Sequence, residues 1–384
     1  MNNKILVFNT GSTTLKYKLF ELNENNDLIL FKKGMVEDIG QPTGPKNHKM
    51  ALSILFQGFG LGEPYLGKIE NLIAIGHRVV HGGNEFYKPT VIDKNVISKL
   101  KEYNSIAPLH NPHILEVMED ILSHSGKEGH RNIPNYAIFD SSYFIDIPEV
   151  TRVYPLPYEY YQENKIRRYG FHGISHEYVV NAVRNKYKTA NKIISLHLGG
   201  GSSICAVKNG KPIDISMGFT PLEGLMMSTR SGDIDAGIIH YLIEKKIIKH
   251  DDVDQILNYK SGLYGISGAE DMREILHMAG LKVEDPKYSP KIFPDYLSDE
   301  RKKRARLAID MFVYRIKKYI GAYYTILGGC DTLIFTASMG TGSSVIRNMI
   351  LENMDIILKD TIIEVIETDE EQQIAKEIIK IMKG

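Results

Sequence analysis

An arginine carried on a loop between glycine-containing turns is suited to gripping anions, and the stretch PIDISMGFTPLEGLMMSTRSGDID at 212–235 presents one in Arg230. The rigid fork of a guanidinium fits a planar anion with several oxygens, because it donates to two of them at once. Asp140 is a second position capable of chemistry: it ends the apolar run YAIF, so its carboxylate emerges at a strand terminus. Open α/β sheets place catalytic groups there. A third is Glu370, in the first turn of a helix expected over 369–382. An acid at that place is favoured by the helix dipole.

These side chains need elements to position them. KILVFNTGSTTLKYKLFEL at 4–22 and KIISLHLGGGSSICAVKNG at 192–210 share one plan: a short apolar strand, a turn rich in glycine and hydroxyls, and a second strand. They reach Gly11 and Gly199 at the same offset, which reads as a duplication. Glycine removes the side-chain obstruction in such hairpins, so backbone amides approach a phosphate chain closely. Apolar strands at 72–75, 136–139, 193–198 and 332–336 alternate with helical patterns at 94–103, 114–123, 175–187, 299–327 and 369–382, giving an α/β chain. Thr368 and Glu371 form a capping-box pattern before the last helix. Segments 40–50 and 280–297, rich in Pro, Gly, Asn and Lys, read as surface loops.

At 384 residues the chain has length for two domains, and its 43% hydrophobic and 24% charged content excludes a disordered or fibrous protein. The formal net charge of zero gives no reason to expect a nucleic-acid partner. The basic cluster RKKRAR at 301–306 reads as a solvated helix flank, with Leu307, Ala308, Met311 and Phe312 on the apolar face. Two cysteines, Cys205 and Cys330, are too few for a disulfide framework and fit a reducing compartment. The opening MNNKILVFN has only four consecutive apolar residues, short of a signal-peptide core, and no run is long enough to cross a bilayer. A soluble cytoplasmic protein is expected.

The Arg230 stretch closely resembles the signature of the acetate kinase family. Other segments of that family recur in order: NTGSTTLK at 9–16, GHRVVHGG at 76–83, APLHNP at 107–112, FDSSY at 139–143, RRYGFHGISH at 167–176, HLGGGSS at 197–203, FTASMG at 335–340 and TDEE at 368–371. The resemblance covers nearly the whole chain. It implies two actin-like, ribonuclease H-like α/β domains with a duplicated hairpin core and an active-site cleft between them, one spanning 1–139 with 369–384 and the other 140–368. It also implies transfer of a phosphoryl group between ATP and acetate, with Mg2+ or Mn2+, in a homodimer.

Carried over residue by residue, the resemblance makes Arg78 and Arg230 ligands of the acid and of the transferring oxygens, with His172 as a further donor and His110 nearby. Val80, Leu109, Phe171 and Pro221 correspond to a small apolar pocket for the methyl group, which would also admit propionate, since one methylene is worth only about 1–3 kcal/mol. Asn9, Ser12, Thr14 and Lys16 match the first phosphate-side hairpin, Thr14 standing where serine is usual. His197, Gly199, Gly200 and Gly201 match the second hairpin, Ser338 and Gly340 the adenosine-side loop, and Glu370 with Asn9 the magnesium site. Asp140 is expected to orient Arg78 or a metal-bound water, since a carboxylate acceptor is already ionised and has no proton to lose.

The chain departs from the family mainly on the donor side. FTASMGTGS stands for FTAGIGEN, placing Ser338, Met339 and Gly342 where glycine, isoleucine and asparagine are usual, and HLGGGSS stands for HLGNGAS. Phe144 replaces a histidine and Ala236 a proline. Part of the family uses pyrophosphate or phosphate and carries a methionine in this loop, so both donors stay open. Two other classes fit less well. A nonenzymatic scaffold would be expected to lose the acid clamp, and a sugar kinase would need a larger polar pocket.

Overall fold

The computed structural model describes residues 3–25, 27–57, 66–67, 69–104, 106–107, 111–124, 133–291 and 297–383. Leu109 and His110 lie outside them. The chain divides into two compact units, 1–145 with 172–175 and 369–384, and 146–171 with 176–368.

The first unit holds a six-stranded sheet in the order β3-β2-β1-β4-β6-β5, from β1 (Lys4–Thr10), β2 (Leu15–Leu22), β3 (Leu28–Val36), β4 (Leu72–Val79), β5 (Thr90–Val91) and β6 (Asn135–Phe139). The second holds five strands in the order β11-β10-β7-β8-β9, from β7 (Lys192–Leu198), β8 (Ser202–Lys208), β9 (Lys211–Ile215), β10 (Thr332–Thr336) and β11 (Ile362–Val365). One plan is repeated. In each unit an antiparallel meander of three strands is extended by two parallel strands, β4 and β6 in the first and β10 and β11 in the second.

The central strands read as continuous apolar runs because both faces are covered. On one face of β1, Leu6 and Phe8 pack with Leu52 and Leu55 of helix α1 (His48–Gln57) and Val117 and Ile121 of helix α3 (Asn111–His124), α2 being Lys94–Lys101. On the other, Ile5 and Val7 meet Ile374, Ala375 and Ile378 of the C-terminal helix Glu370–Lys383. That helix lies so close that a Cβ added to Gly76 would stand 2.7 Å from the side chains of both Ile374 and Ile378. In the second unit Ile194, Leu196 and Leu198 join the core formed with helix Asp299–Leu327.

Three local expectations are corrected. The C-terminal helix is capped by Asp369, whose Oδ1 accepts from the Gln372 amide at 2.8 Å, while Glu371 turns to Asn9 and Thr368 Oγ1 is buried without a hydrogen-bond partner among the described residues. The proposed loop at 40–50 ends in the first turn of α1, where Ala51, Leu52 and Leu55 supply a buried stripe that the polar residues before them obscure. On helix Asp299–Leu327 the buried face is Ala305, Ala308, Ile309 and Phe312, with Leu307 exposed and Met311 half-buried. Among the described residues, no helix is long and apolar enough to cross a membrane.

Candidate active site

In the first unit the chemistry gathers where parallel strands end. β4 and β6 are neighbours with Val79 opposite Phe139, so Arg78 and Asp140 leave adjacent strand ends side by side. The guanidinium engages both carboxylate oxygens: Nε donates to Oδ1 and Oδ2 at 3.1 Å each, and Nη2 to Oδ2 at 2.7 Å. Its third nitrogen, Nη1, donates to Asn9 Oδ1 at 3.3 Å and lies 3.6 Å from Glu370 Oε1. Asn9, at the end of β1, donates its own amide to Glu371 at 2.8 Å, and Lys18 on β2 pairs with Asp369 at 2.8 Å and Glu371 at 3.3 Å. Several strands and the start of one helix thus fix a single network.

Asp140 is 1% exposed and Arg78 16%. Burial pulls the Arg78 pKa down, yet Asp140 and then Glu370 together push it above the ordinary arginine value, so the guanidinium is permanently charged. Glu370 is raised, chiefly by burial; Arg78 opposes the shift, and the charges of Glu371 and Asp140 add to it. Burial acts the same way on Glu371, but the bond from Asn9 and the charge of Lys18 outweigh it and lower its pKa. Two adjacent glutamates are thereby set apart, one satisfied and one short of positive charge.

His172 has φ of 60°, a left-handed conformation that costs a non-glycine residue about 1–3 kcal/mol unless its surroundings impose it. The next residue explains the imposition. The Gly173 amide donates to the Asp140 carbonyl at 2.9 Å, and a Cβ at Gly173 would stand 2.1 Å from that oxygen. The turn carrying His172 is therefore pinned to the backbone that carries Asp140. In the first hairpin the Gly11 amide donates to Thr14 at 2.8 Å, Thr14 is half-buried, and Ser12 and Lys16 are exposed. Val80 is buried.

In the second unit Arg230 Nη1 donates to the Pro221 carbonyl at 3.2 Å, and the Met227 amide donates to the Arg230 carbonyl at 3.1 Å. Burial lowers the Arg230 pKa to about 10, against a weaker raising effect of Tyr259. An anion beside it would reverse that shift. Phe171 is buried. The second hairpin closes through the Gly199 amide to the Gly201 carbonyl at 3.1 Å, and Ser228 donates its amide to Gly200 at 3.1 Å. Gly199 and Gly200 line a cavity of about 600 Å³ together with Ser338, Met339, Met272 and Arg273. That volume lies within the range of about 300–1,000 Å³ that small-molecule sites occupy. Ser338 and Met339 form part of its wall. A Cβ at Gly200 would meet nothing within 4 Å, so no crowding requires glycine there. Gly340 is buried, its added Cβ standing 3.5 Å from Phe335.

His197 is buried, its ring 6.2 Å from that of His176. His176 reaches both strands of the second hairpin, with Nδ1 2.9 Å from Ser195 Oγ and Nε2 2.8 Å from Ser203 Oγ. Sequence reasoning missed His176, Lys18 and Arg273 and gave Glu371 only a capping role. For Glu371 a signal existed in TDEE, but the choice among three consecutive acids depends on the phase of the helix.

The duplicated meander with parallel extension, carrying an acid-locked arginine at one pair of strand ends and a glycine-hairpin cavity in the second unit, defines an enzyme of the two-domain actin-like fold. The chain matches the Acetokinase family over residues 4–378 and belongs to it, a family of phosphotransferases acting on a carboxyl group. It is 40% identical to the acetate kinase of Thermoanaerobacter pseudethanolicus, over 99% of each chain. The crystal structure of Porphyromonas gingivalis acetate kinase superposes with a TM-score of 0.79 at 33% identity, covering 99% of this chain and 100% of that one. A propionate kinase from Francisella tularensis superposes with a TM-score of 0.80 at 31% identity, covering 98% of each.

Proposed function

We propose that this chain interconverts acetate and acetyl phosphate, with ATP and ADP as the nucleotide pair, by direct transfer between donor and acid. The observation that carries the reading is the Arg78 guanidinium held on both oxygens of Asp140 at adjacent strand ends. A fixed, permanently charged fork costs no reorganisation when negative charge spreads over the oxygens around phosphorus, and that is where most of the catalysis of phosphoryl transfer arises. Arg230, shifted downward by burial, gains most from an anion and would take the same oxygens. His172 would donate to them from its imposed turn.

Asp140 acts as a positioning residue in this reading, because its two oxygens are committed to Arg78 and the acceptor brings no proton. Magnesium fits the oxygen donors of Asn9 and Glu370, since that ion is usually held by one or two carboxylates with water and phosphates completing its shell. Glu370, deficient in positive charge, would gain from it, and the bound ion would neutralise phosphate oxygens. Val80, Phe171, Pro221 and Leu109 are assigned to the methyl pocket, and Ser12, Thr14, Lys16, His197 and Gly201 to the phosphate-side hairpins. Domain limits of 1–139 with 369–384 and 140–368, a cytoplasmic setting and a homodimer belong to the same proposal.

The cavity of about 600 Å³ bordered by Ser338 and Met339 has room for a nucleotide, which supports ATP as the donor. A hydroxamate assay with acetate decides: acetyl hydroxamate formed with Mg-ATP and not with pyrophosphate is expected. Product with pyrophosphate alone would replace the nucleotide, and product with neither would remove the activity.

A further inference from the structure

Helices α1 and α3 bring His48, His113 and Glu116 together, with one ligand atom from each lying within 4.8 Å of the others. His48 is 2% exposed, and its Nε2 stands 2.8 Å from the Gly11 carbonyl oxygen. A carbonyl only accepts, so Nε2 carries the proton and the lone pair of neutral His48 is on Nδ1. That atom faces Glu116 Oε2 at 3.9 Å, too far for a hydrogen bond. Two electron-pair donors therefore look at each other across a gap. His113, one turn from Glu116 on the same face of α3, stacks on His48 with ring centroids 4.7 Å apart and adds a third donor.

Metal-binding imidazoles commonly give their other N–H to a backbone carbonyl, which fixes the tautomer and raises the basicity of the ligand nitrogen. Gly11 already supplies that carbonyl. The supporting helices are packed through Leu52, Leu55, Val117 and Ile121 and joined by the Lys49–Asp120 ion pair at 3.3 Å. The three ligand atoms need to close to the edge of a tetrahedron, about 3.3 Å for bonds of zinc length. Rotation of the partly exposed His113 and Glu116 side chains supplies that closure.

We propose that His48 Nδ1, His113 and a Glu116 carboxylate oxygen bind a divalent transition metal of the zinc type, with water completing four-coordination. Two nitrogens and one carboxylate suit zinc and disfavour magnesium, which prefers an all-oxygen shell. The site is separate from the Asn9 and Glu370 donors. The carbonyl that orients His48 belongs to the first hairpin, so metal occupancy would brace that turn.

The test is Zn2+ titration of the full chain against a competing chromophoric chelator in excess Mg2+, for wild type, His113→Ala and Glu116→Ala. One Zn2+ per chain is expected, weakened by on the order of 10–100-fold or more in each variant, at least the loss that follows removal of a residue that merely orients a ligand. Co2+ in place of Zn2+ should give the visible absorption of a four-coordinate ion in wild type, and His113→Ala should lose it. Absence of saturable binding in wild type, or equal Zn2+ affinity in wild type and both variants, would overturn the assignment.

Discussion

Replacing Arg230 by Ala leaves the Pro221 carbonyl without the bond from Nη1 and, in the proposed reaction, takes a charge away from the reacting oxygens. Turnover should fall by on the order of 100-fold or more, the usual loss for one electrostatic stabiliser. Near wild-type turnover in a folded Arg230→Ala protein would remove the residue from the site. Asp140→Asn exchanges a bidentate anion for an amide and releases Arg78; activity should be severely reduced without the loss of any acidic limb from the pH–rate profile. A variant that keeps the plateau rate while losing such a limb would make Asp140 a base. Burial lowers His77 to about 4, against the bond to Asn135, and lowers His176 to about 3. Both folded values lie below the unfolded value near 6.5, so the unfolded chain binds more protons between them. Stability from these groups is complete above about pH 6.5 and declines as pH falls, by up to about 1.4 kcal/mol per pH unit for each histidine. Urea unfolding at pH 7 and pH 5 measures this, and imidazole signals of either residue titrating near 6.5 in the folded protein would contradict it. Arg78, Asp140 and Glu370 were legible as individual residues. Of the two partners expected for Asp140, Arg78 or a metal-bound water, the structure shows Arg78, 62 positions away and brought beside it by the pairing of β4 with β6; the contacts of Arg78 with Asn9 and Glu370 were not legible.

Elements were more legible than contacts. The strand and helix spans follow the apolar periodicities within a few residues, because both faces of β1, β4 and β7 are covered and their sequences are largely apolar. Caps and buried faces were harder: Thr368 fits the letters of a capping box, but Glu371 is drawn away by Asn9 and Lys18 and Asp369 takes the cap. Gly76 shows why some glycines in motifs have nothing to do with ligands. Its added Cβ would meet Ile374 and Ile378 at 2.7 Å, so Gly76→Ala must shift those side chains or the C-terminal helix that carries them. Overpacking of this kind costs about 1–3 kcal/mol. That helix also carries Glu370 and Glu371, so the same variant should lose stability in denaturant titration and lose turnover together. Unchanged stability would mean that the helix has room to shift.

At the scale of the whole chain the duplication explains how two unlike tasks are supported by one plan. Both units use a meander, a glycine turn and parallel extension strands, yet the first turn spans 11–14 and the second 199–201. The altered loop FTASMGTGS lies in the second unit, and its Ser338 and Met339 form part of the cavity wall. Ala337, with φ of 63°, begins this wall in a left-handed conformation directly after β10. Ser338 and Met339 add bulk to this loop, and a cavity of about 600 Å³ still adjoins them. If that space receives the nucleotide, filling it from the wall should weaken ADP without touching the acid. Met339→Trp should raise the KM for ADP tenfold or more, a loss of about 1.4 kcal/mol or more in binding, while the acetyl phosphate KM stays at its wild-type value. Steady-state kinetics of the full chain in the direction of ATP formation would measure both constants. An ADP constant unmoved by the Met339→Trp substitution would place the nucleotide outside this cavity, and equal losses for both substrates would show that the change had disturbed the fold and not one subsite.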